Sequence, residues 1–192
     1  MVGNDIVDFD ETRRSSNWER RGFLQKIFTT NEQLIIDMSS DPNATVWHLW
    51  SMKESAYKVF IQAGGNRFFD PTKIECLIDS SQKGRAKINT TTFWTKTSIN
   101  SKYVFSTALL NNIDIDTRIF RLNQKSSKYQ SDFMHQQVIQ DFAERNSLNS
   151  SEISVHKNKK GVPIIYYKNK SQNKSLSITH HGNYGAYSII KN

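Results

Sequence analysis

The sequence predicts an α+β protein made of two similar α+β halves, residues 1–112 and 113–192, related by a pseudo-twofold axis and holding one active site in the cleft between them. Two observations carry this. Strand-like stretches alternate with segments of helical periodicity, and neither type dominates. The order strand, helix, strands also occurs twice: Lys83-Gly84-Arg85-Ala86-Lys87-Ile88 followed by Lys102-Tyr103-Val104-Phe105-Ser106 parallels Lys160-Gly161-Val162-Pro163-Ile164-Ile165 followed by Asn183-Tyr184-Gly185-Ala186-Tyr187. Halves packed in this way leave a groove at their junction. Their charged and His residues differ, so one asymmetric site per chain is expected.

Taken in order, Val2-Gly3-Asn4-Asp5-Ile6-Val7-Asp8 mixes β-branched with polar residues and reads as a short strand, with Asp5 and Val7 on one face and Asp8 on the other. A short basic helix is expected at about residues 17–27. Thr30 and Gln33 form a Thr-x-x-Gln capping pattern before Leu34-Ile35-Ile36, which starts another helix. The longest helical pattern runs from about Asn43 to Ala63, entered after Pro42 and stopped by Gly64-Gly65. Strands are expected at 73–78, 85–91, 103–110 and 117–122. A polar, basic link at 123–129 then leads to a helix at about 131–146, whose Phe133, Val138, Ile139 and Phe142 approximate one apolar stripe. Strands recur at 152–156, 162–168, 175–178 and 184–190.

Composition narrows the class. With 192 residues, 36% hydrophobic and only 8 Gly and 3 Pro, the chain has enough apolar material for a sizeable core and no tract of low complexity. No apolar run approaches the roughly 18 residues of a membrane span, and with Asp5 within the first five residues no signal peptide is expected. The single Cys76 forms no internal disulfide, and no Cys/His cluster has zinc-ligand spacing. A cytoplasmic location is expected.

The net charge of +8 is unevenly spread. Residues 12–28 hold Arg13, Arg14, Arg20, Arg21 and Lys26 against Glu19, and residues 151–192 hold seven lysines against Glu152. Two basic surfaces point to polyanionic partners, whether nucleic acid, an anionic membrane, an acidic protein or a phosphorylated small molecule, or else to a solvated face.

Three groups of residues are chemically equipped. On the long helix, Trp50-Ser51-Met52-Lys53-Glu54-Ser55-Ala56-Tyr57-Lys58 puts Glu54 and Lys58 on one face, a spacing that by itself most often means a surface ion pair. Asp5 is a carboxylate on the first strand. Ser175-Leu176-Ser177-Ile178-Thr179-His180-His181-Gly182 ends a strand in hydroxyls and imidazoles, groups that hydrogen-bond phosphate oxygens as readily as they satisfy a structural role. No Walker A, GxGxxG or GxSxG sequence is present.

In combination and order these groups resemble the 4′-phosphopantetheinyl transferase superfamily. The resemblance rests on Gly3-Asn4-Asp5, the Trp50 to Lys58 helix segment, Gly161-Val162-Pro163 and Ser177-Ile178-Thr179-His180, with Phe28-Thr29-Thr30-Asn31-Glu32 between the first two. It implies transfer of phosphopantetheine from coenzyme A to a serine of a carrier protein, with 3′,5′-ADP leaving. By resemblance Asp5 and Glu54 are ligands of a magnesium ion, Glu54 and Lys58 are catalytic, and Lys58, Lys160, Thr179 and His180 contact coenzyme A. Mg²⁺ suits this because it binds through one or two carboxylates plus phosphate oxygens and water. Larger members carry a third acid where this chain has Val7, so two protein ligands are expected. Asn4 replaces an apolar residue and Val162 a frequent Lys.

The family's carrier proteins are acidic, and this gives Arg14, Arg20 and Arg21 a docking role. The chain is expected to act as a monomer, without nucleic-acid or membrane partners. The alternative reading, a non-catalytic basic nucleic-acid-binding module, gives no reason for Asp5, Glu54 and Lys58 to occur together.

Overall fold

The computed structural model describes residues 1–191; Asn192, the last residue of the expected C-terminal half, lies outside them. In chain order the first elements are β1 (Val2–Asp8), α1 (Phe9–Ser15), α2 (Phe23–Ile27), α3 (Thr30–Asp37), α4 (Pro42–Gln62), β2 (Ile74–Ile78), β3 (Lys83–Ile88), β4 (Thr91–Ile99) and β5 (Tyr103–Leu109). They are followed by β6 (Ile115–Arg121), α5 (Ser127–Asn146), β7 (Ile153–Lys157), β8 (Pro163–Tyr167), β9 (Lys170–Ser171), β10 (Leu176–His181) and β11 (Tyr184–Ile190). The architecture is α+β with antiparallel sheets: β1-β5-β4-β3-β2, β10-β11-β6 and β7-β8-β9. Among the described residues no helix is long and apolar enough to cross a membrane.

Helix α4 starts where Asp41 caps the Ala44 amide and Pro42 occupies the first turn. Its Val46, Leu49, Met52, Ala56 and Val59 are fully buried against the five-stranded sheet. Gly3 sits where α4 meets β1: a Cβ there would collide with the Ser55 carbonyl oxygen, so glycine is what lets β1 lie directly on the helix. A second core, with Met134, Val138, Ile165, Leu176 and Tyr187, packs α5 against the later strands. Ile6, Phe105 and Ala186 form a small third cluster joining β1 and β5 to β11.

The outer edge of β1 is closed by side chains and not by another strand. Facing it, alternate residues of the 175–181 segment present an acceptor to alternate backbone N–H groups: Ser175 Oγ to Val2 (2.8 Å), Ser177 Oγ to Asn4 (3.0 Å), Thr179 Oγ1 to Ile6 (3.4 Å) and His181 Nδ1 to Asp8 (3.0 Å). The edge carbonyls of Val2 and Asn4 accept from Gln62 and Lys58 of α4, each at 2.7 Å. A strand edge buried in this way must have its polar groups satisfied, and here side chains from two elements do it. Asn4 accepts from Ser177 Oγ at 2.8 Å and donates to Ser188 Oγ at 3.2 Å.

Several expectations are corrected. The helix expected at 17–27 is only Phe23–Ile27, because Gly22 enters it at φ +82°, and a separate α1 precedes it. Asp8 caps α1 through Asp10 N and Glu11 N, and the acids at Asp10 and Glu11 in the first turn are a start signal that the sequence reading missed. The capping box of α3 is Thr29 with Glu32, one residue earlier than Thr30 with Gln33. The expected strand at 85–91 is two strands of a hairpin, turning at Asn89 (φ +54°). Strand β4 escaped notice because its inward Thr95 and Thr97 are as polar as its outward Lys96 and Ser98. β10 continues to His181, so both histidines are on the strand and not past its end.

Candidate functional site

A cavity of about 540 Å³ is bordered by α4 on one side and by residues of α5, β7, β10 and the 160–163 turn on the other. Glu54 and Lys58 both line it. Asp5 lines a smaller neighbouring cavity of about 270 Å³, and Trp50 and His180 are shared by the two. Lys58 connects them: its ammonium donates to Asp5 Oδ1 at 3.2 Å and to the Asn4 carbonyl at 2.7 Å. The pair suspected from i,i+4 spacing is therefore not the one that forms, since among the described residues the ion-pair partner of Lys58 is Asp5 and not Glu54.

Burial dominates the electrostatics. It pushes the Asp5 carboxyl above the ordinary carboxylate range, against the opposing pull of Lys58 and the hydrogen bond from Thr179. Burial also raises Glu54, helped by the Asp5 charge and opposed by Lys58, to about 7. Two desolvated acids thus share one lysine. Asp5 and Glu54 fit a hard divalent cation that takes its remaining ligands from phosphate and water, and among the described residues no group of three or more His, Cys, Asp or Glu forms a closed metal cage. Val7 is buried in the core. Asp8, besides capping α1, accepts from Asn183 N (2.8 Å) and Nδ2 (3.0 Å), so both its oxygens are engaged. Gly182, at φ +59°, makes that approach possible, because a Cβ would run into the Asp8 carboxylate.

The remaining residues singled out from sequence are spread around this centre. His180 lines both cavities, and its pKa is lowered, first by burial and then by Lys157, Lys58, His181 and His135. Thr179 is buried and does not line the larger cavity, although Ser177, Ile178 and His180 do. Lys160 lines that cavity with its ammonium on the carbonyls of Gly64 (2.8 Å) and Gly65 (3.3 Å), just past the end of α4. Arg14 lies on α1 within 3.6 Å of Glu11, while Arg20 and Arg21 precede α2, with Arg20 over the Phe23 ring at 5.3 Å.

Sequence reasoning missed four residues. Arg67 and Lys157 add to the cationic lining of the large cavity, and His135 adds an imidazole to it. Burial and then Lys157 lower the pKa of His135. Lys53, inside the conspicuous helix segment, is 1% exposed and ion-paired to Glu32 at 2.8 Å, with further bonds to the Pro71 and Ile74 carbonyls. Glu32 also accepts from Thr29 N and Cys76 N, each at 2.7 Å. The Glu of the Phe28 to Glu32 segment and the first Lys of the helix segment therefore make one buried structural pair. The only sequence signal for it was that both belong to recognisable segments.

Two carboxylates, a lysine and a cationic recess are the equipment of a site that handles a phosphorylated ligand. Comparison with protein families shows kinship: residues 1–110 match the 4′-phosphopantetheinyl transferase superfamily, and the chain belongs to that family. Its members are transferases that act on coenzyme A and carrier proteins. No match is found among curated proteins.

Proposed function

We propose that this protein moves 4′-phosphopantetheine from coenzyme A to a serine of an apo carrier protein, giving holo carrier protein and 3′,5′-ADP. In this reading residues 1–112 and 113–192 are pseudo-twofold-related units, and a monomer works in the cytoplasm through the cleft between them. The observation that carries the proposal is the meeting of Glu54 and Lys58 at the wall of a cationic cavity, with Asp5 held to Lys58.

The serine hydroxyl attacks the phosphorus that bears the pantetheine arm. A new P–O bond forms, the P–O bond to the departing 3′,5′-ADP breaks, and the serine proton goes to Glu54. Glu54 lines the cavity beside Lys58 and is the carboxylate placed to accept it, directly or through a water. Lys58 offers its charge to the leaving phosphate, and His180, His135, Lys157 and Lys160 supply cationic or hydrogen-bonding groups for the nucleotide phosphates. Asp5 and Glu54 would hold Mg²⁺, whose contribution is to neutralise pyrophosphate charge during transfer.

The test is incubation with coenzyme A, Mg²⁺ and a panel of apo carriers, read by intact mass. The expected result is the mass gain of one phosphopantetheine on at least one carrier, reduced by roughly 100-fold or more in Asp5→Ala and Glu54→Ala. Near wild-type transfer by either variant would remove the assigned site.

A further inference from the structure

We infer that Thr179 is a positioning residue for Asp5 and not a ligand of the donor's phosphates. The argument begins with the number of protons available. A threonine hydroxyl has one, and Thr179 Oγ1 gives it to Asp5 Oδ1 at 3.1 Å while accepting from the Ile6 amide at 3.4 Å. A phosphate oxygen at that hydroxyl needs the same proton. The side chain is 6% exposed and, unlike its neighbours Ser177 and His180, does not line the cationic cavity.

The pattern is repeated along the strand. Ser175, Ser177 and Thr179 each accept a backbone N–H from β1 and pass their own proton to a side chain, namely Gln62 (2.7 Å), Asn4 (2.8 Å) and Asp5 (3.1 Å). Thr179 is thus one rung of the device that seats β1, and it is the rung that falls on the acid. Lys58 donates to the same oxygen at 3.2 Å. Both donors converge on Oδ1, and among the described residues no hydrogen bond reaches Oδ2. Thr179 with Lys58 therefore holds the carboxylate in one rotamer and presents Oδ2 as the free anionic face. A residue of β10 sets the aim of an acid on β1, about 170 positions away in sequence.

This rests on the reading of Asp5 as a metal-holding carboxylate, so the experiment separates the two. Thr179→Val keeps shape and removes the donor, Thr179→Ser keeps the donor, and Asp5→Ala is the reference. For each, coenzyme A affinity is measured calorimetrically in EDTA. Mn²⁺ affinity of the coenzyme A-saturated protein is measured by paramagnetic resonance, and the Mg²⁺ concentration for half-maximal transfer is measured alongside. In Thr179→Val we expect coenzyme A affinity in EDTA to stay within about twofold of wild type, while Mn²⁺ affinity falls about tenfold and the Mg²⁺ requirement rises to match; Thr179→Ser should restore both. A tenfold loss of metal-free coenzyme A affinity with an unchanged metal requirement would overturn the inference and make Thr179 a phosphate ligand. A drop in melting temperature with neither constant changed would overturn it in favour of a purely structural role. If Asp5→Ala leaves Mn²⁺ affinity unchanged, the metal reading of Asp5 falls, and the inference with it. Should Thr179→Val not fold, Thr179→Cys, of similar size and a weak donor, serves for the same comparison.

Discussion

Glu54 is half-buried beside Asp5, and its carboxyl is raised to about 7, so the free protein carries an unfavourable charge there whenever that group ionises. The sign of its effect on stability follows from linkage. In the folded chain the group keeps its proton to higher pH than in the unfolded chain, where it titrates near 4.5. Its contribution is fully present below pH 4.5 and is lost as pH rises through about 7. Glu54→Gln cannot ionise, so in metal-free protein it should be more stable than wild type at pH 8, by on the order of 2–3 kcal/mol, with the difference vanishing near pH 4. Denaturant melts at the two pH values check this. The same variant should be inactive, which would mark Glu54 as a residue kept for chemistry at a cost in stability.

At the scale of elements, α4 does two jobs with adjacent residues. Glu54 and Lys58 face the larger cavity, while Lys53 reaches back to Glu32 on α3 and to the carbonyls of Pro71, just before β2, and Ile74, its first residue. That pair fixes α3, α4 and β2 to one another and sets the cavity wall on which Pro71 and Ile74 lie. Breaking it leaves a buried charge without a partner. Glu32→Ala should therefore cost about 3–5 kcal/mol in chemical denaturation, and a double replacement of Glu32 and Lys53 by apolar residues of similar volume should recover much of the loss. If Glu32→Ala melts within 1 kcal/mol of wild type, the pair is not what joins these elements. Spacing along one helix exposed the Glu54 and Lys58 face, but the partner of Lys53 is on another helix, where no periodicity points to it.

At the scale of the whole molecule, the smaller cavity opens among Phe23, Ile27, Trp47 and Trp50, next to the α1–α2 region where the arginines lie. Arg14 is partly neutralised by Glu11, whereas among the described residues Arg20 and Arg21 have no acidic partner. If an acidic carrier docks here, reversing Arg20 and Arg21 to Glu should raise the carrier KM by about tenfold through slower encounter, with the coenzyme A KM unchanged. Added salt should bring the wild type toward the variant, since exposed charges more than about 8 Å apart are screened at physiological ionic strength. An unchanged carrier KM at low salt would make this segment a solvated face.

The sequence by itself determined the α+β class, the long helix with its Glu54 and Lys58 face, and the family resemblance, because these depend on local periodicity and on short segments read in order. It missed β4, where Thr95 and Thr97 on the inward face blur the alternation with the outward Lys96 and Ser98, and α1, whose start lies in the capping acid Asp8. Only the tertiary structure decided that Lys58 pairs with Asp5, that Lys53 is spent on Glu32, that Lys160 sits on the end of α4, and that the proton of Thr179 belongs to Asp5. Each of these depends on which donor finds an acceptor across elements distant in sequence, and a hydrogen-bonding group has the same letter whether its partner is a ligand or another strand.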